Sequence, residues 1–354
     1  MKLIHKAKKF YQQAYTTGHF PPVRQLFFGE QKVFAYYGFL GDRNFGDELV
    51  FESAKKLFYP NILLPVRRKM PLLQAFYAKA CKGRIAGLVV GGGTLIGPLW
   101  EREFFESLVE LAKPVYVHGT GVRENIERSD GWKHMLSGKV YGGVRGPHSA
   151  ENLGEIFRQV LITGDAAFAM CEVADKRAQT APAKTVLINC GAHLGFEGQD
   201  NTRTALNQFV EHLNIQGFQV QFLPLHSIDL ALGLELKEKH PSVVVLDMPS
   251  TYREARNHFL NAQFSVGERL HFTVMAILAG CPFLSINYGK KHDDLLASLD
   301  LVGVGVTPNQ LSLDLIRTAF EQREMFDWTS IFHRIEALKA LQQKEASAFV
   351  SSIQ

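Results

Sequence analysis

Short apolar runs alternate with segments of helical pattern along nearly the whole chain. In the first half, the runs predicted to be strands are residues 32–39, 61–66, 85–90, 114–118, 140–144 and 160–163. A polar stretch containing a proline, residues 174–184, then interrupts the pattern and predicts a linker. A second series follows it at residues 185–190, 218–223, 243–246, 264–266, 283–287 and, more weakly, 302–306.

The predicted strands are almost continuous in Val, Ile and Leu, which is typical of parallel strands covered by helices on both faces. Helical periodicity is clearest in residues 101–112, 204–214 and 328–349. We therefore predict an α/β protein with two Rossmann-like domains facing a cleft. Their expected bounds are residues 1–175 and 184–327, with a C-terminal helix in 328–354 that packs back on the first domain.

Composition narrows the classes of function. The chain has 354 residues, enough for two domains, and a net charge of only +4. That charge is too small to indicate a nucleic-acid partner, but it suits anionic substrates. The thirteen histidines show no His-Glu-x-x-His pattern and no close ligand cluster, so no metal is expected. The four cysteines, which match no metal or redox spacing, are expected to be buried thiols in a cytoplasmic protein: Cys81, Cys171, Cys190 and Cys281.

Contact with a membrane is a separate question. No apolar stretch reaches the length of a transmembrane helix. The first ten residues are basic but lack the apolar core and cleavage site of a secretory signal. They would suit a peripheral helix on anionic lipid at the inner membrane, as would the cluster Arg67-Arg68-Lys69. For both segments an ordinary solvated surface is the favoured interpretation.

The loop Glu268-Arg269-Leu270-His271 carries the clearest chemistry. It follows an apolar run, residues 262–266, and precedes a helical pattern that Gly280 closes. Loops at the carboxyl ends of strands line the crevice where α/β proteins bind ligands. If the loop stays extended, Arg269 and His271 face the same side and place an anion-binding group beside a proton-transfer group. Taken alone, Arg-x-His in a loop is more often a solvated surface feature.

Other charged or glycine-rich loops occupy equivalent positions after predicted strands. Residues 38–48 contain Asn44 and Asp47 at a predicted helix start, whose free N–H groups could bind an anion or a hydroxyl. Alternatively, Asp47 and Glu48 could simply be first-turn acids favoured by the helix dipole. The loop Gly91-Gly92-Gly93-Thr94 is either a backbone cradle for substrate or a close-packing requirement. Arg145 precedes Pro147, which fits the first position of a helix. Three more cleft residues follow: Asp165, Lys290 and Lys291.

Taken in order, these loops resemble the polysaccharide pyruvyl transferase family. The segments that carry the resemblance are Gly41-Asp-Arg-Asn-Phe-Gly-Asp-Glu48, Gly91-Gly-Gly-Thr-Leu95, Val144-Arg-Gly-Pro-His-Ser-Ala150, Gly164-Asp165, Glu268-Arg-Leu-His271 and Tyr288-Gly-Lys-Lys291. No single segment is specific, but the ordered set is. The resemblance implies a fold like that of the GT-B glycosyltransferases and transfer of pyruvyl from phosphoenolpyruvate to two sugar hydroxyls, giving a cyclic ketal.

This chemistry suggests roles for the loop residues. Phosphoenolpyruvate carries phosphate and carboxylate, for which Arg269 and Arg145 are the candidates, with Lys290 or Lys291 adding charge. His271 is the expected general acid, and Glu268 or Asp165 would orient it or accept a hydroxyl proton. The remaining candidates bind substrate: Asn44, Asp47, Gly92, Gly93 and Thr94. No cofactor is expected besides this co-substrate. The donor would lie on the second domain, and the acceptor, polymeric, lipid-linked or nucleotide-linked, on the first.

Two other functions stay open. A nucleotide-sugar glycosyltransferase would share the architecture. Retaining members of that fold often hold the donor with two glutamates at the start of a C-terminal helix. Glu268 could be the first of these, but Met275 occupies the position of the second, which argues against a nucleotide-sugar donor. A scaffold subunit of a polysaccharide assembly complex would have kept the fold and lost the chemistry. Competent residues occupy every candidate position, which argues against the scaffold.

Overall fold

The computed structural model describes residues 21–41, 43–66, 82–98, 114–154, 157, 160–172, 184–191, 198–301 and 303–353. The predicted helix at 101–112, most of the linker, the cluster Arg67-Arg68-Lys69 and Cys81 lie outside these residues. Contacts divide the chain into two compact units. The first contains residues 1–42, 50–169 and 337–354, and the second contains residues 43–49 and 170–336.

The first unit is built on a five-stranded sheet. Its strands are β1 Val33–Tyr37, β2 Ile62–Pro65, β3 Ile85–Val90, β4 Val115–Thr120 and β5 Val140–Val144. All neighbours are parallel, in the order β2-β1-β3-β4-β5. These five strands were predicted, but the sixth, at 160–163, is wrong as a strand because Ile162 makes only an isolated bridge to Val144.

The second unit contains a six-stranded sheet, again parallel throughout. Its strands are β6 Thr185–Asn189, β7 Gln219–Phe222, β8 Val244–Val245, β9 Phe264–Gly267, β10 Phe283–Ile286 and β11 Gly305–Val306. Their order is β11-β10-β9-β6-β7-β8. All six predicted strands are present, which confirms the parallel α/β fold class.

Helices connect these strands. The first four are α1 Val23–Phe28, α2 Phe45–Phe58, α3 Asp130–Leu136 and α4 Pro147–Gly154. The others are α5 Gln199–Ile215, α6 Asp229–Lys239, α7 Tyr252–Leu260, α8 Leu270–Ala279, α9 Lys290–Ser298, α10 Leu313–Glu321 and α11 Trp328–Ser351. Pro147 begins α4 and Gly280 ends α8 in the left-handed region, as predicted. None of the described helices is both long and apolar enough to cross a bilayer.

Each sheet has its own apolar core. In the first unit, one face packs on Trp132, and the other on the last turns of α11. Phe349 of α11 contacts the rings of Phe34, Phe58 and Tyr116 at centroid distances of 5.1–5.8 Å. In the second unit, Phe320 of α10 packs against Phe209 and Phe264. The three cysteines described, Cys171, Cys190 and Cys281, are buried thiols.

The strand orders locate the edges where ligands bind. In a parallel sheet the crevice opens where the chain reverses its direction of winding, outside the carboxyl ends of two neighbouring strands. That point lies between β1 and β3 in the first sheet and between β6 and β9 in the second. The loops of residues 38–44 and 91–95 follow the first pair, and the Arg269 loop follows β9.

Candidate functional site

The loop after β9 lies at the winding reversal of the second sheet. The helix α8 begins at Leu270, and Arg269 is its N-cap residue with extended backbone. The expectation that residues 269–271 stay extended is therefore wrong, because His271 is already in the first helical turn. Alternation along a strand does not orient Arg269 and His271, so each side chain is placed by its own contacts.

Asp229, the first residue of α6, holds the guanidinium group of Arg269. Nε of Arg269 donates to both carboxylate oxygens, at 3.1 and 3.2 Å, and Nη2 donates to Oδ1 at 2.5 Å. Nη2 also lies 3.3 Å from the carbonyl oxygen of Gly191. The Arg269 side chain is 15% exposed and the Asp229 side chain is not exposed. One edge of the guanidinium is thus fixed while the group keeps contact with solvent.

The Asp229 carboxylate is fully engaged. Besides Arg269, its Oδ2 accepts three hydrogen bonds at 3.1–3.2 Å, from the Asn189 amide and the backbone N–H groups of Leu225 and His226. Hydrogen bonds in which one partner is charged are stronger than bonds between neutral groups. Sequence analysis missed Asp229. The signal available was its place just after β7, since an acid at the carboxyl end of a parallel strand is a site candidate.

Glu268 and Asn189 tie the two loops at the winding reversal together. Oε2 of Glu268 accepts from the backbone N–H of Gly191 at 2.8 Å. The side-chain oxygen of Asn189 accepts from the backbone N–H of Arg269 at 3.2 Å. Gly191 has φ +114°, a conformation that favours glycine. Burial raises the pKa of the neighbouring Cys190 thiol, and the charges of Glu268 and Asp229 raise it further. This thiol is therefore a poor nucleophile.

His271 packs against the start of α2. Both parts belong to the second unit, because residues 43–49 group with it. A Cβ atom added at Gly46 would lie 2.0 Å from Nδ1 of His271, so only glycine allows the helix to approach the imidazole this closely. Two backbone hydrogen bonds join the start of α2 to residues 225–227: the Phe45 N–H donates to the Leu225 carbonyl oxygen, and the Ser227 N–H donates to that of Arg43. These bonds hold the start of α2 within the second unit, next to His271.

Asn44 caps the first turn of α2. Its Oδ1 accepts from the Gly46 N–H at 3.1 Å, and its Nδ2 donates to Oδ2 of Asp47 at 2.6 Å. Its backbone forms an antiparallel bridge with His226. The N–H groups of Phe45, Gly46 and Glu48 are all used within the protein. An anion bound by open amides at this helix start, one option from the sequence, is therefore not supported by the geometry.

The lysine loop follows β10, the neighbour of β9. Lys290 begins α9 and is exposed, and Nζ of Lys291 lies 4.3 Å from the centre of the Tyr288 ring. His292 is fully buried, and its Nε2 donates to the carbonyl oxygen of Glu268 at 2.9 Å. The first turn of α9 thereby fixes the backbone of the Arg269 loop. Two parallel neighbouring strands place both cationic loops at one edge of the sheet.

In the first unit, Arg145 and Asp165 form a closed ion pair. Nε of Arg145 donates to Oδ2 of Asp165 at 3.1 Å, and each side chain is 1% exposed. Nη2 of Arg145 donates to the carbonyl oxygen of Gly93 at 2.6 Å. In this structure Asp165 balances the charge of Arg145, and the guanidinium supports the glycine loop. The roles predicted from sequence for Arg145 with phosphate and for Asp165 with His271 stay predictions.

The glycine loop is packed closely from beneath. A Cβ atom at Gly92 would lie 2.7 Å from Val50 and 3.4 Å from Ala166. The carbonyl of Gly93 accepts from the N–H of Gly121 at 2.6 Å, and the Thr94 hydroxyl lies beside Gly121. Of the two interpretations of this loop, the structure thus shows the close packing. Binding of substrate by Gly92, Gly93 and Thr94 stays a prediction.

His118 is a buried titratable group at this edge. The single proton of the Ser53 hydroxyl goes to the carbonyl oxygen of Val50, so Nε2 of His118 donates to Ser53 at 3.0 Å. Burial lowers the pKa of His118 from 6.5 to about 4, and the charge of Asp165 opposes this only in part. The ring is thus neutral at physiological pH.

The candidate residues therefore fall into two groups. The second unit brings together Asn44, Asp47, Glu268, Arg269, His271, Lys290 and Lys291. The first unit holds Gly92, Gly93, Thr94, Arg145 and Asp165. Within the described ranges, no group of three or more His, Cys, Asp or Glu side chains is placed to hold a metal ion.

Solved structures show the fold of this chain. A UDP-glucosyltransferase from Polygonum tinctorium is 10% identical over 91% of this chain and 98% of that chain, with a TM-score of 0.53. The MnaA protein of S. aureus, solved with UDP, is 11% identical over 86% and 90%, also with a TM-score of 0.53. At such low identity these likenesses concern the fold alone, which is that of the GT-B glycosyltransferases. No curated protein matches the sequence.

The family model of polysaccharide pyruvyl transferase matches residues 44–290. That segment starts at Asn44 and ends at Lys290, so it contains the winding reversal of the second sheet but only the β3 side of the reversal in the first sheet. It omits α1 and β1 at one end and β11, α10, α11 and nearly all of α9 at the other. With well over half of its length matched, the chain belongs to the polysaccharide pyruvyl transferase family.

Proposed function

We propose that this protein transfers pyruvyl from phosphoenolpyruvate to two hydroxyls of a sugar in a cell-surface polysaccharide or its precursor, forming a cyclic ketal. Membership of the family carries the proposal. The loop after β9 supports it, because a partly exposed arginine and a histidine stand at the edge where an α/β sheet binds its ligand.

Arg269 is the proposed anion contact. Asp229 fixes one edge of the guanidinium, and Nη1 has no hydrogen-bond partner among the residues that the structure describes. An arginine held in this way can offer its remaining N–H groups to a phosphate or carboxylate at little cost in side-chain entropy. Lys290 or Lys291, on the neighbouring loop, adds positive charge for the phosphate.

His271 is the proposed general acid. It gives a proton to the methylene carbon of phosphoenolpyruvate, which becomes the methyl group, while a sugar hydroxyl forms a bond to the adjacent carbon and passes its proton to Glu268 or Asp165, from which His271 is reprotonated. The second hydroxyl then displaces phosphate: its oxygen bonds to the same carbon, the carbon–oxygen bond to phosphate breaks, and its proton leaves on the phosphate. Glu268, 7% exposed, also accepts from the Gly191 N–H and keeps the loop in position. Asn44 and Asp47 are proposed to contact a hydroxyl or the pyruvyl carboxylate.

The acceptor side follows from the same chemistry. Two hydroxyls on one sugar must reach the same carbon, so the acceptor has to bind with a fixed pair of hydroxyls. A sugar or lipid-linked oligosaccharide would meet this need. A lipid-linked acceptor would bring a cytoplasmic enzyme to the inner face of the membrane.

A titration measured by thermal shift tests the donor. Phosphoenolpyruvate is expected to raise the melting temperature of the wild type, because a ligand that binds only the folded state stabilises it. Arg269→Ala should abolish the shift. Arg269→Lys, which keeps the charge but loses the paired N–H geometry, should not restore it. A shift from UDP- or GDP-sugars in place of phosphoenolpyruvate would assign the protein to glycosyl transfer, and a response to neither would indicate a scaffold.

Turnover tests the histidine. His271→Ala should still respond to phosphoenolpyruvate but release phosphate from it about 100-fold more slowly, in the presence of a panel of sugar acceptors, than the wild type. Wild-type rates in this variant would remove His271 from the mechanism. His258, a half-buried histidine of α7 that is not among the candidate site residues, provides the control as His258→Ala.

A further inference from the structure

The turn Gly164-Asp165-Ala166 is the point where three loops of the first unit meet. Gly119, the last but one residue of β4, has φ +55°, and a Cβ atom there would lie 2.5 Å from both the Gly164 carbonyl oxygen and the Ala166 nitrogen. Arg145, after β5, is bonded to the Asp165 carboxylate. Ala166 also borders the glycine loop after β3. A displacement of this turn would therefore move all three loops.

Helix α11 holds this turn from behind. Nε2 of Gln342 donates to the carbonyl oxygens of Thr163 and Asp165, at 2.9 and 3.0 Å. Gln342 is fully buried, and its backbone carbonyl oxygen accepts from the hydroxyl of Tyr116 at 3.1 Å. One turn earlier on the helix, Leu338 packs against Gly164. All of these residues belong to the first unit.

A continuous path of contacts then leads to the glycine loop. Gln342 holds the backbone of Asp165, and Oδ2 of Asp165 accepts from Nε of Arg145. Nη2 of Arg145 donates to the carbonyl oxygen of Gly93. The two links at Asp165 are buried and the link to Gly93 is partly buried, so little solvent is available at Asp165 to replace a lost partner.

We propose that Gln342 is a positioning residue of the site: it fixes Asp165 and, through Arg145, the glycine loop at Gly93. The consequence is that α11, which lies beyond the matched residues 44–290, is part of the functional machinery and more than a cover for the sheet. The effect on phosphoenolpyruvate rests on the proposed function, whereas the effect on the glycine loop does not.

Gln342→Met is the sharpest variant. Methionine has nearly the same length and volume but no N–H, so the packing space stays filled while both carbonyl groups lose the bond from Gln342. The Asp165 carbonyl then keeps the bond from the Phe168 N–H. Gln343→Met is the matched control, because Gln343 is exposed on the same helix. Ala346→Gly controls for stability, since it weakens the buried face of α11 without touching the turn.

Hydrogen exchange tests the path without any ligand. In Gln342→Met, the amide of Ala167, which donates to Oδ1 of Asp165, should exchange about tenfold faster than in the wild type. The amide of Gly121, which donates to the Gly93 carbonyl, should also exchange faster, although Gln342 does not touch it. Neither control variant should change these amides selectively. An unchanged Gly121 amide would overturn the proposal.

Calorimetric titration with phosphoenolpyruvate, at a temperature well below the melting point, provides the second readout. Arg145 is one of the two arginine candidates for phosphoenolpyruvate, and Gln342 acts on it through Asp165. Gln342→Met should therefore weaken binding about tenfold, and Ala346→Gly should leave it unchanged. Faster exchange with unchanged affinity would make Gln342 a structural residue only and overturn its positioning role. If the wild type binds no phosphoenolpyruvate while the exchange pattern appears as expected, the donor assignment fails and the path from Gln342 to Gly93 stands.

Discussion

Arg145 in the first unit and Arg269 in the second each pair with a buried aspartate at the carboxyl edge of a parallel sheet, yet the two pairs differ in what they leave open. Arg145 and Asp165 are both 1% exposed, and a second guanidinium nitrogen is used by Gly93. Arg269 is 15% exposed, and Asp229 and Gly191 occupy only part of its N–H groups. An arginine–aspartate pair thus supports a loop in the first unit, whereas a pair of the same kind leaves its arginine open to a ligand in the second.

This difference matters for energetics. A buried pair is balanced only while both partners remain, and removal of one leaves an uncompensated charge in a medium that solvates it poorly. Asp229 has other donors in Asn189 and two backbone N–H groups, and the Arg269 side is reached by water. Water cannot take the place of a lost partner at Arg145 and Asp165, because both side chains are buried. We therefore expect the closed pair to matter most for stability and the open pair for binding.

The largest expected effect comes from deleting each arginine in turn. Arg145→Ala should lower the free energy of unfolding by about 3–5 kcal/mol, because Asp165 is left buried without its cation. Arg269→Ala should lower it by only about 1–2 kcal/mol, because the remaining donors and water take over at Asp229. Urea unfolding followed by far-UV circular dichroism measures both. Equal losses in the two variants would contradict the distinction drawn here.

The pH dependence of the free energy of unfolding tests a second buried group of the first unit, His118. His118 has a pKa of 6.5 when unfolded and about 4 when folded, so the unfolded chain takes up a proton first as the pH falls. Its contribution is fully present above pH 6.5 and is lost as the pH drops through 4, to a total of about 3 kcal/mol. Unfolding free energies should therefore fall less between pH 7 and pH 4.5 in His118→Gln than in the wild type. Parallel curves would contradict the role of His118.

The smallest expected effect concerns the partner of the open pair. In Asp229→Asn, the new amide nitrogen faces either the guanidinium or the three N–H donors at Oδ2, and both arrangements set donor against donor. Arg269 should lose its fixed edge, and phosphoenolpyruvate should bind about tenfold more weakly in calorimetry. Tighter binding would show that the charge of Asp229 opposes the anion more than its hydrogen bonds help. Asp247→Asn, a change of the same type outside the site, is the control.

The strands were predictable because each buried parallel strand is a short, continuous run of apolar residues in the sequence. Eleven of the twelve predicted strands are present, and Pro147 and Gly280 mark helix ends by local backbone preference. The site was harder to predict, because its paired side chains lie far apart in the sequence. Arg269 and Asp229 are forty positions apart, and no local pattern links them. Residues 43–49 pack with the second unit, which no periodicity within the first half could indicate.

Helix α11 has a consequence for synthesis of the protein. One face of the first sheet packs on Phe349, and Gln342 closes the turn at Asp165, so the amino-terminal half needs the last residues of α11 to complete its core. At about 5–20 residues per second, the ribosome takes many seconds to reach them after β5 has emerged. During that time the part of the apolar face that Phe349 covers lacks this packing partner. The unit whose strands are translated first therefore completes its core only after the chain has reached the end of α11.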